Sequence, residues 1–519
     1  MILSYQDIHS DVKANCDVAV IGSGAGGAVI AKELAEMGHS VAVVEEGGYF
    51  TRKDFRCRPV QSMFLMYRDS GQTFTLGTPI CILPLGKTVG GTTTINSGTC
   101  LRIPPKVLKK WQENYGLKEL NEEELGLFYE RIERFLYVQP ADPAVVGTNN
   151  LKFKEGADKL GYSAGFLPRN AKECEGSGLC AFGCPIDAKQ SMNISYIPAA
   201  SKLGATIYAN CLAEKIVVES GRATGVLGHF VDPDSGRKGK SIQLGAKAVI
   251  LAAGAIYTPY FLLRNKLATS SGQVGKHLRI HPCGGVAASF DEDVCCWDGI
   301  PQSTYVDEFF EEEGIMLEGA ATPPEVQSNT LPYAGNKHAK LMSQFPKIAL
   351  FGSMVSDTSE GSVRAPPFSH RPTVLYNLNK DDIRRLQLSV IHLAEIWFAA
   401  GAKRVYPMLA TMAELTSPKQ VDELKRFKLS GKDFTITAYH PMGTCRMGSD
   451  PTKSVVNVNC ETWDVKRLFI CDASVFPTSL GVNPQMTIMA IATRTAAYID
   501  GVLATTNSTK EVVINDDTV

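Results

Sequence analysis

Six consecutive residues, Gly22-Ser23-Gly24-Ala25-Gly26-Gly27, carry the spacing G-x-G-x-x-G. In such a turn the first glycine permits the sharp bend. The second lets the backbone approach a pyrophosphate, and the third lets a helix pack closely on a strand. The phosphates would face free N–H groups at the positive end of a helix dipole. The hexapeptide alone could be an ordinary glycine-rich turn, but its surroundings argue otherwise. Residues 16–21 (CDVAVI) form an apolar run suited to a buried parallel strand. Residues 28–37 have a helical pattern that Gly38 stops. Residues 41–44 (VAVV) read as the next strand, and Glu45 follows it, where a carboxylate can accept hydrogen bonds from ribose hydroxyls. Its neighbour Glu46 is read either as a second ribose contact or as a solvated surface charge. The strand, turn, helix and acid together predict dinucleotide binding.

A second cluster is Cys174, Cys180 and Cys184-Pro185, spaced C-x5-C-x3-C-P. Three close cysteines ending in Cys-Pro are similar to iron–sulfur loops. No fourth cysteine lies nearby and the ferredoxin spacing is absent. Packed free thiols are therefore expected ahead of a cluster or a local disulfide, with zinc least favoured because no histidine is near. No metal ligands are assigned. The 14 cysteines are scattered from Cys16 to Cys471, and most read as reduced, buried side chains of a cytoplasmic protein.

The elements that must position these groups are spread along the chain. Residues 248–253 (AVILAA) and 467–471 (RLFIC) look like further strands of the buried sheet begun at residue 16. Residues 348–357 and 373–378 alternate like half-solvated antiparallel strands, and 381–399 reads as an amphipathic helix. The expected organisation is an α/β domain from 1–105, 205–285 and 432–505. A substrate-binding domain with connecting segments takes 106–204 and 286–431, and a loose tail takes 506–519. With 519 residues, 44% hydrophobic and a net charge of -1, the chain has material for a large core and no charge excess for nucleic acid. The longest nearly apolar run, 248–263, is too short for a transmembrane span, and the first residues lack the pattern of a secretory signal.

Several later motifs appear in order: Glu45-Glu46-Gly47-Gly48, Gly86 through Gly90-Gly91-Thr92 to Asn96, Ala252-Ala-Gly254, His440-Pro-Met-Gly-Thr-Cys-Arg-Met-Gly448, Asp472-Ala473 to Pro477, and Asn483-Pro484-Gln485. This series resembles the glucose–methanol–choline (GMC) family of FAD-dependent oxidoreductases over about half of the chain. The resemblance implies a Rossmann-like FAD-binding domain built from discontinuous segments and an α+β substrate domain with an antiparallel sheet. It places Gly22, Ser23, Gly24, Ala25 and Gly27 at the pyrophosphate and Glu45, with Glu46 beside it, at the adenosine ribose. Gly91, Thr92 and Asn96 fall beside the flavin, Ala213 at the adenine, Asp472 and Ala473 along the ribityl chain, and Asn483, Pro484 and Gln485 near the ring. Some members tether FAD through a histidine just before the position of Asn96. Ile95 stands there, so non-covalent FAD is expected.

His440 matches the family's catalytic histidine, as base or hydroxyl-positioning group, and Asn483 the second position, as the group that orients the substrate oxygen. The other eight histidines, His281 in the turn before Pro282 among them, are read as structural. The reaction implied is hydride transfer from an alcohol carbon to flavin N5. The substrate is expected to be a neutral, apolar alcohol, since no charge cluster suits a cation or a phosphate ester. Reoxidation by O2 or by a quinone or redox protein is left open. The rival readings are a flavoprotein subunit with an iron–sulfur cluster in an electron-transfer complex, and a non-redox lyase of the same family.

Overall fold

A computed structural model describes residues 1–319 and 321–508. Two sheets organise the chain. In the first, Val12–Ile21 pairs in parallel with Val41–Val44 on one side and Lys238–Leu251 on the other. Val41–Val44 continues in parallel to Thr206–Tyr208, and Lys238–Leu251 to Leu468–Ile470. Toward their carboxyl ends these strands are apolar and buried on both faces, as a covered parallel sheet requires. Arg222–Val231 and Cys211–Glu219 extend the sheet as an antiparallel pair.

Register determines where the site can form. Ile21 lies opposite Val44 and Leu251, and Leu251 opposite Ile470. The carboxyl ends of these strands therefore line up, and the residues that follow them, Gly22, Glu45, Ala252 and Cys471-Asp472, emerge at one edge. That edge is where open parallel sheets bind ligands.

The second sheet is antiparallel along Cys283–Ser289, Ile348–Val355, Ile315–Glu318, Thr304–Val306 and Ala164–Phe166, with Arg404–Tyr406 also on Cys283–Ser289. Ile348–Val355 is not half-solvated as its alternation suggested. Ala349, Phe351 and Val355 enter a core with Trp397 of the helix Lys380–Ala399 and Phe153 of Thr148–Lys159. Ile348 and Leu350 point the other way, into a smaller cluster with Leu341, Phe345 and Tyr406. Both faces are covered, so alternation records two cores rather than a core and solvent. Thr373–Leu375 forms a separate two-stranded hairpin with Ser362–Arg364.

Segments interleave between the sheets. Cys81–Ile82 and Ile436–Thr437, from ranges expected in the nucleotide domain, join the antiparallel sheet. The helices Pro105–Tyr115 and Glu122–Phe135, from the substrate range, pack on the first core. The expected tail begins inside the last helix, Gln485–Ser508; from residue 509 it lies outside the described residues.

The helix after the glycine turn runs Ala25–Glu36, three residues earlier than its apolar pattern suggested. A Cβ on Gly26 would stand 1.7 Å from the Cys471 carbonyl oxygen, and one on Gly27 2.0 Å from that of Gly22. Two glycines thus seat this helix on the sheet. Gly26→Ala should destabilise the protein by about 3 kcal/mol or more, because a backbone carbonyl cannot rotate away as a side chain can. Soluble yield and denaturant melts beside wild type would check this.

Candidate active site

The glycine turn opens on the edge described above. Gly22 has φ 96°, and a Cβ there would meet the Ala252 carbonyl oxygen at 2.3 Å. Gly24 caps the helix Ala25–Glu36 without a side-chain hydrogen bond, leaving the N–H groups of the first turn for another acceptor. Across from it lies Gly91, also left-handed, whose Cβ would fall 2.8 Å from the Gly24 Cα. Two facing glycines and a bare helix N-terminus make a cradle of backbone, which suits a pyrophosphate.

Glu45 ties this cradle together. It accepts from the Ser23 N–H at 3.0 Å, the Ser23 hydroxyl at 2.7 Å and the Gly47 N–H at 2.8 Å. Ser23 Oγ in turn accepts from the Gly90 N–H at 3.0 Å. Burial raises the Glu45 carboxyl pKa against these hydrogen bonds. A carboxylate has about four acceptor positions, so about one remains for a ribose hydroxyl. Glu46, expected beside it at the ribose, is turned instead to Arg68 at 2.7 Å and Lys87 at 3.2 Å. Burial alone would raise its carboxyl, but the two cations hold it down at about 2. Ala213 is buried in the strand Cys211–Glu219, whose first residue donates to the Glu45 carbonyl at 2.8 Å.

Asp472 accepts from the Gly254 N–H at 2.9 Å, the Thr258 hydroxyl at 2.5 Å and the Ser474 N–H at 2.8 Å. It thereby joins two helical turns at the sheet edge. Ala473 is buried beside it, its carbonyl accepting from the Gly443 N–H at 3.1 Å. Thr92 is exposed, and its hydroxyl accepts from the Gly86 N–H at 3.2 Å. Asn96 donates to Gln485 Oε1 at 2.9 Å, and Gln485 Nε2 to the Thr99 carbonyl at 2.5 Å. Pro484 precedes the last helix and accepts from the Ile488 N–H at 2.9 Å. The loop 91–99 is thus stitched to the start of that helix.

Two buried cations fix the same loop from behind. Lys189 Nζ donates to the carbonyls of Thr93 (3.1 Å), Thr94 (2.9 Å), Asn96 (2.6 Å) and Cys180 (2.8 Å). Arg169 donates to the Ser97 carbonyl at 2.7 Å and to Cys180 Sγ at 3.2 Å. Burial lowers the Lys189 ammonium pKa to about 8. Among the described residues Cys174, Cys180 and Cys184 are free thiols, and no group of three or more His, Cys, Asp or Glu is placed to hold a metal. Cys180 backs the loop through the bonds its carbonyl and Sγ accept from Lys189 and Arg169.

The histidine and asparagine expected to do chemistry do meet. His440 Nε2 and Asn483 Nδ2 lie 3.4 Å apart. Asn483 also donates to Glu318 Oε1 at 2.9 Å. On its other side His440 Nδ1 faces His281 Nδ1 at 3.1 Å, with the rings crossed at 78°. Burial pushes the His440 imidazolium pKa down to about 4 and that of His281 well below its ordinary value. His281, read as structural, is fully buried with its ring against that of His440. Glu318, Lys189, Arg169 and Gly26 also act here without having been singled out. Gly26 alone left a local trace, as the fifth residue of the glycine run.

Taken together these groups fit FAD. The cradle suits a pyrophosphate, Glu45 lies at the next strand end, and the loop 91–99 is bonded to Gln485, two residues after Asn483 of the His440–Asn483 pair. No described helix is long and apolar enough to cross a membrane.

Glu318 is 7% exposed, and burial raises its carboxyl pKa from about 4.5 to about 7. A raised acid pKa favours the fold fully below about pH 4.5, and this contribution is lost as pH rises through 7, worth ~3 kcal/mol. Glu318→Gln should therefore melt like wild type at pH 4.5 and higher than wild type at pH 8, in paired thermal melts.

The GMC oxidoreductase family models match residues 63–283 and 357–492, and an FAD binding domain model matches 17–53. An uncharacterised GMC-type oxidoreductase of Mycobacterium tuberculosis is 35% identical over 491 residues, covering 94% of this chain and 76% of that one. A long-chain-alcohol oxidase of Arabidopsis thaliana is 30% identical over 512 residues, covering 93% of this chain and 68% of that one. In fold, the crystal structure of pyridoxine 4-oxidase from Mesorbium loti superposes with a TM-score of 0.69 at 18% identity, over 93% of this chain and 99% of that one. With both family models matched in order and a glycine cradle built for FAD, the chain belongs to the GMC oxidoreductase family of FAD-binding oxidoreductases.

Proposed function

We propose that this protein oxidises an alcohol at the carbon bearing the hydroxyl, giving an aldehyde or ketone, with His440 and Asn483 holding the substrate oxygen. The observation that carries the reading is the pair of side-chain nitrogens, His440 Nε2 and Asn483 Nδ2, converging 3.4 Å apart at the end of the FAD cradle. Bound FAD supplies the hydride acceptor. The chain's own part is to place the carbinol, to take its hydroxyl proton at His440, and to stabilise through Asn483 the negative charge left on the oxygen until hydride departs. Preorganised donors aimed at developing charge give one of the larger catalytic terms.

The cofactor is held without a covalent bond in this reading. Ile95 has no nucleophilic atom and packs among Phe55, Met66 and Tyr67. Gly22, Ser23, Gly24, Ala25, Gly27 and Gly91 line the pyrophosphate, with Glu45 at the ribose. Thr92, Asn96, Ala213, Asp472, Ala473, Pro484 and Gln485 complete the FAD contacts.

The substrate is a neutral, apolar alcohol. Tyr439, next to His440, is 46% exposed. Ala438 donates to the Ile82 carbonyl at 2.9 Å, and Ile82 bridges to Phe74; both side chains are exposed. Phe64 on the helix Pro59–Met66 is also exposed. Ile82 pairs with Thr437, three residues before His440, so exposed apolar side chains stand on the segments that lead to that histidine, and the name of the Arabidopsis relative points the same way. O2, or a quinone or redox protein, takes the electrons onward.

An anaerobic absorbance titration with alcohols of increasing chain length tests the reading. Oxidised-flavin bands released by mild acid, then bleached by the longer alcohols, are expected; admitting air identifies O2 as acceptor if colour returns within turnover time. Bands that no alcohol bleaches would overturn alcohol oxidation in favour of lyase chemistry. His440→Ala should retain its flavin and be reduced about 10²–10³ times more slowly.

A further inference from the structure

The ribbon at residues 73–83 reverses the usual rule for a half-solvated strand pair. Its two arms meet through the bridge between Phe74 and Ile82 and through the Thr75 N–H, which donates to the Cys81 carbonyl at 2.9 Å. Thr75, Cys81 and Leu83 are fully buried. The residues that alternate with them face out, where an antiparallel pair ordinarily carries polar side chains. Here they are Phe74, Leu76, Ile80 and Ile82, all exposed, Ile80 at 61%. The helix Pro59–Met66 repeats the pattern. Ser62 and Met66 are buried, while Val60 and Phe64, four residues apart on another face, are exposed, Phe64 at 71%. Helix and ribbon are neighbours. The Arg68 N–H donates to the Leu85 carbonyl at 2.8 Å, and the Lys87 N–H to the Met66 carbonyl at 2.7 Å. Single exposed apolar side chains are ordinary, but a cluster of them marks a surface that meets something.

The charges beside the cluster indicate what it meets. Arg52, Lys53, Arg56 and Arg58 stand just ahead of the helix, all exposed. Asp54 is the one carboxylate among them, and it accepts from the Thr51 N–H at 2.8 Å. Arg52 approaches Asp187 at 3.7 Å; Lys53, Arg56 and Arg58 make no ion pair among the described residues. The whole chain has a net charge of -1, so this density of cations is local. An apolar helix face beside a cationic segment is the pattern of an element that lies in a bilayer interface. Its apolar side chains enter the acyl boundary while the cations meet anionic headgroups. Twofold pairing of this face with itself would instead bring two cationic segments together.

We propose that the face formed by the helix Pro59–Met66 and the ribbon 73–83 docks on an anionic lipid surface, with Phe64, Phe74 and Ile80 entering the acyl boundary and Arg56 and Arg58 at the headgroups. The strand Cys81–Ile82 pairs with Ile436–Thr437, which leads to His440, so the docked face adjoins the segment that carries the base. An apolar alcohol dissolved in the bilayer is then concentrated at that face. This last role rests on the alcohol reading; the docking rests on exposure and charge alone.

Co-sedimentation of the full-length holoprotein with vesicles tests it, using phosphatidylcholine alone and phosphatidylcholine with about one third phosphatidylserine. The anionic vesicles should bind about tenfold or more tightly than the neutral ones, and high salt should erase the difference. Phe64→Ser and Phe74→Ser should each weaken binding about tenfold on the anionic vesicles. Arg56→Gln combined with Arg58→Gln should weaken it about tenfold or more on the anionic vesicles and leave the neutral ones unchanged. Leu127→Ser, at an exposed leucine on the helix Glu122–Phe135 of the other core, should change nothing. Flavin content equal to wild type certifies that each variant is folded. Binding to neither vesicle, or an equal loss from Leu127→Ser, overturns the proposal. So does a concentration-dependent dimer that Phe64→Ser dissolves, since the face then belongs to a second copy. If vesicles bind as expected and no alcohol reduces the flavin, the docking stands and the alcohol reading falls.

Discussion

The molecule depends on backbone meeting backbone at the carboxyl edge of the parallel sheet. The helix Ala25–Glu36 lies against the Cys471 carbonyl with no room for a Cβ at residue 26. That approach brings the glycine turn, the end of Leu468–Ile470 and the start of the last helix to one place. Once they are there, few polar atoms at the edge are idle. Glu45, Asp472 and Gln485 each satisfy backbone or side-chain partners from distant segments. Rigidity here comes from geometry that forbids side chains and from carboxylates that collect the N–H groups thus exposed.

Polarity is distributed unevenly across the site. The cradle side relies on neutral N–H groups and a helix end. The loop 91–99 is backed by Lys189 and Arg169, whose bonds go mainly to carbonyl oxygens. The substrate side is held near neutrality, with two uncharged imidazoles, an amide and a carboxyl whose pKa is about 7. A region with little fixed charge suits a reaction in which negative charge appears on oxygen only transiently, because donors act most strongly where nothing else competes for them.

Much of this was legible from local pattern. Short continuous apolar runs, a glycine turn and an acid at the next strand end suffice to place the parallel core, since each is a short-range consequence of how strands and helices bury surface. His440 and Asn483 stood out only through their motifs. Partnerships were illegible. His281 and His440 are 159 positions apart, and Asn483 and Glu318 are 165 apart; no spacing rule links them. Lys189 looks like any surface lysine until five oxygens close around it. Ile348–Val355 was misread in its environment for a related reason: alternation says that two faces differ, not that one is wet.

The stitching of the loop 91–99 also orders events in time. Asn96 waits for Lys189, 93 positions later, and for Gln485, 389 positions later. A ribosome delivers about 5–20 residues per second, so the glycine turn exists for tens of seconds before the residues that close its far side. A chain emerging from synthesis thus has half a cradle long before it has a reaction chamber. Redox chemistry is withheld until synthesis has passed Gln485 and the loop has closed on it.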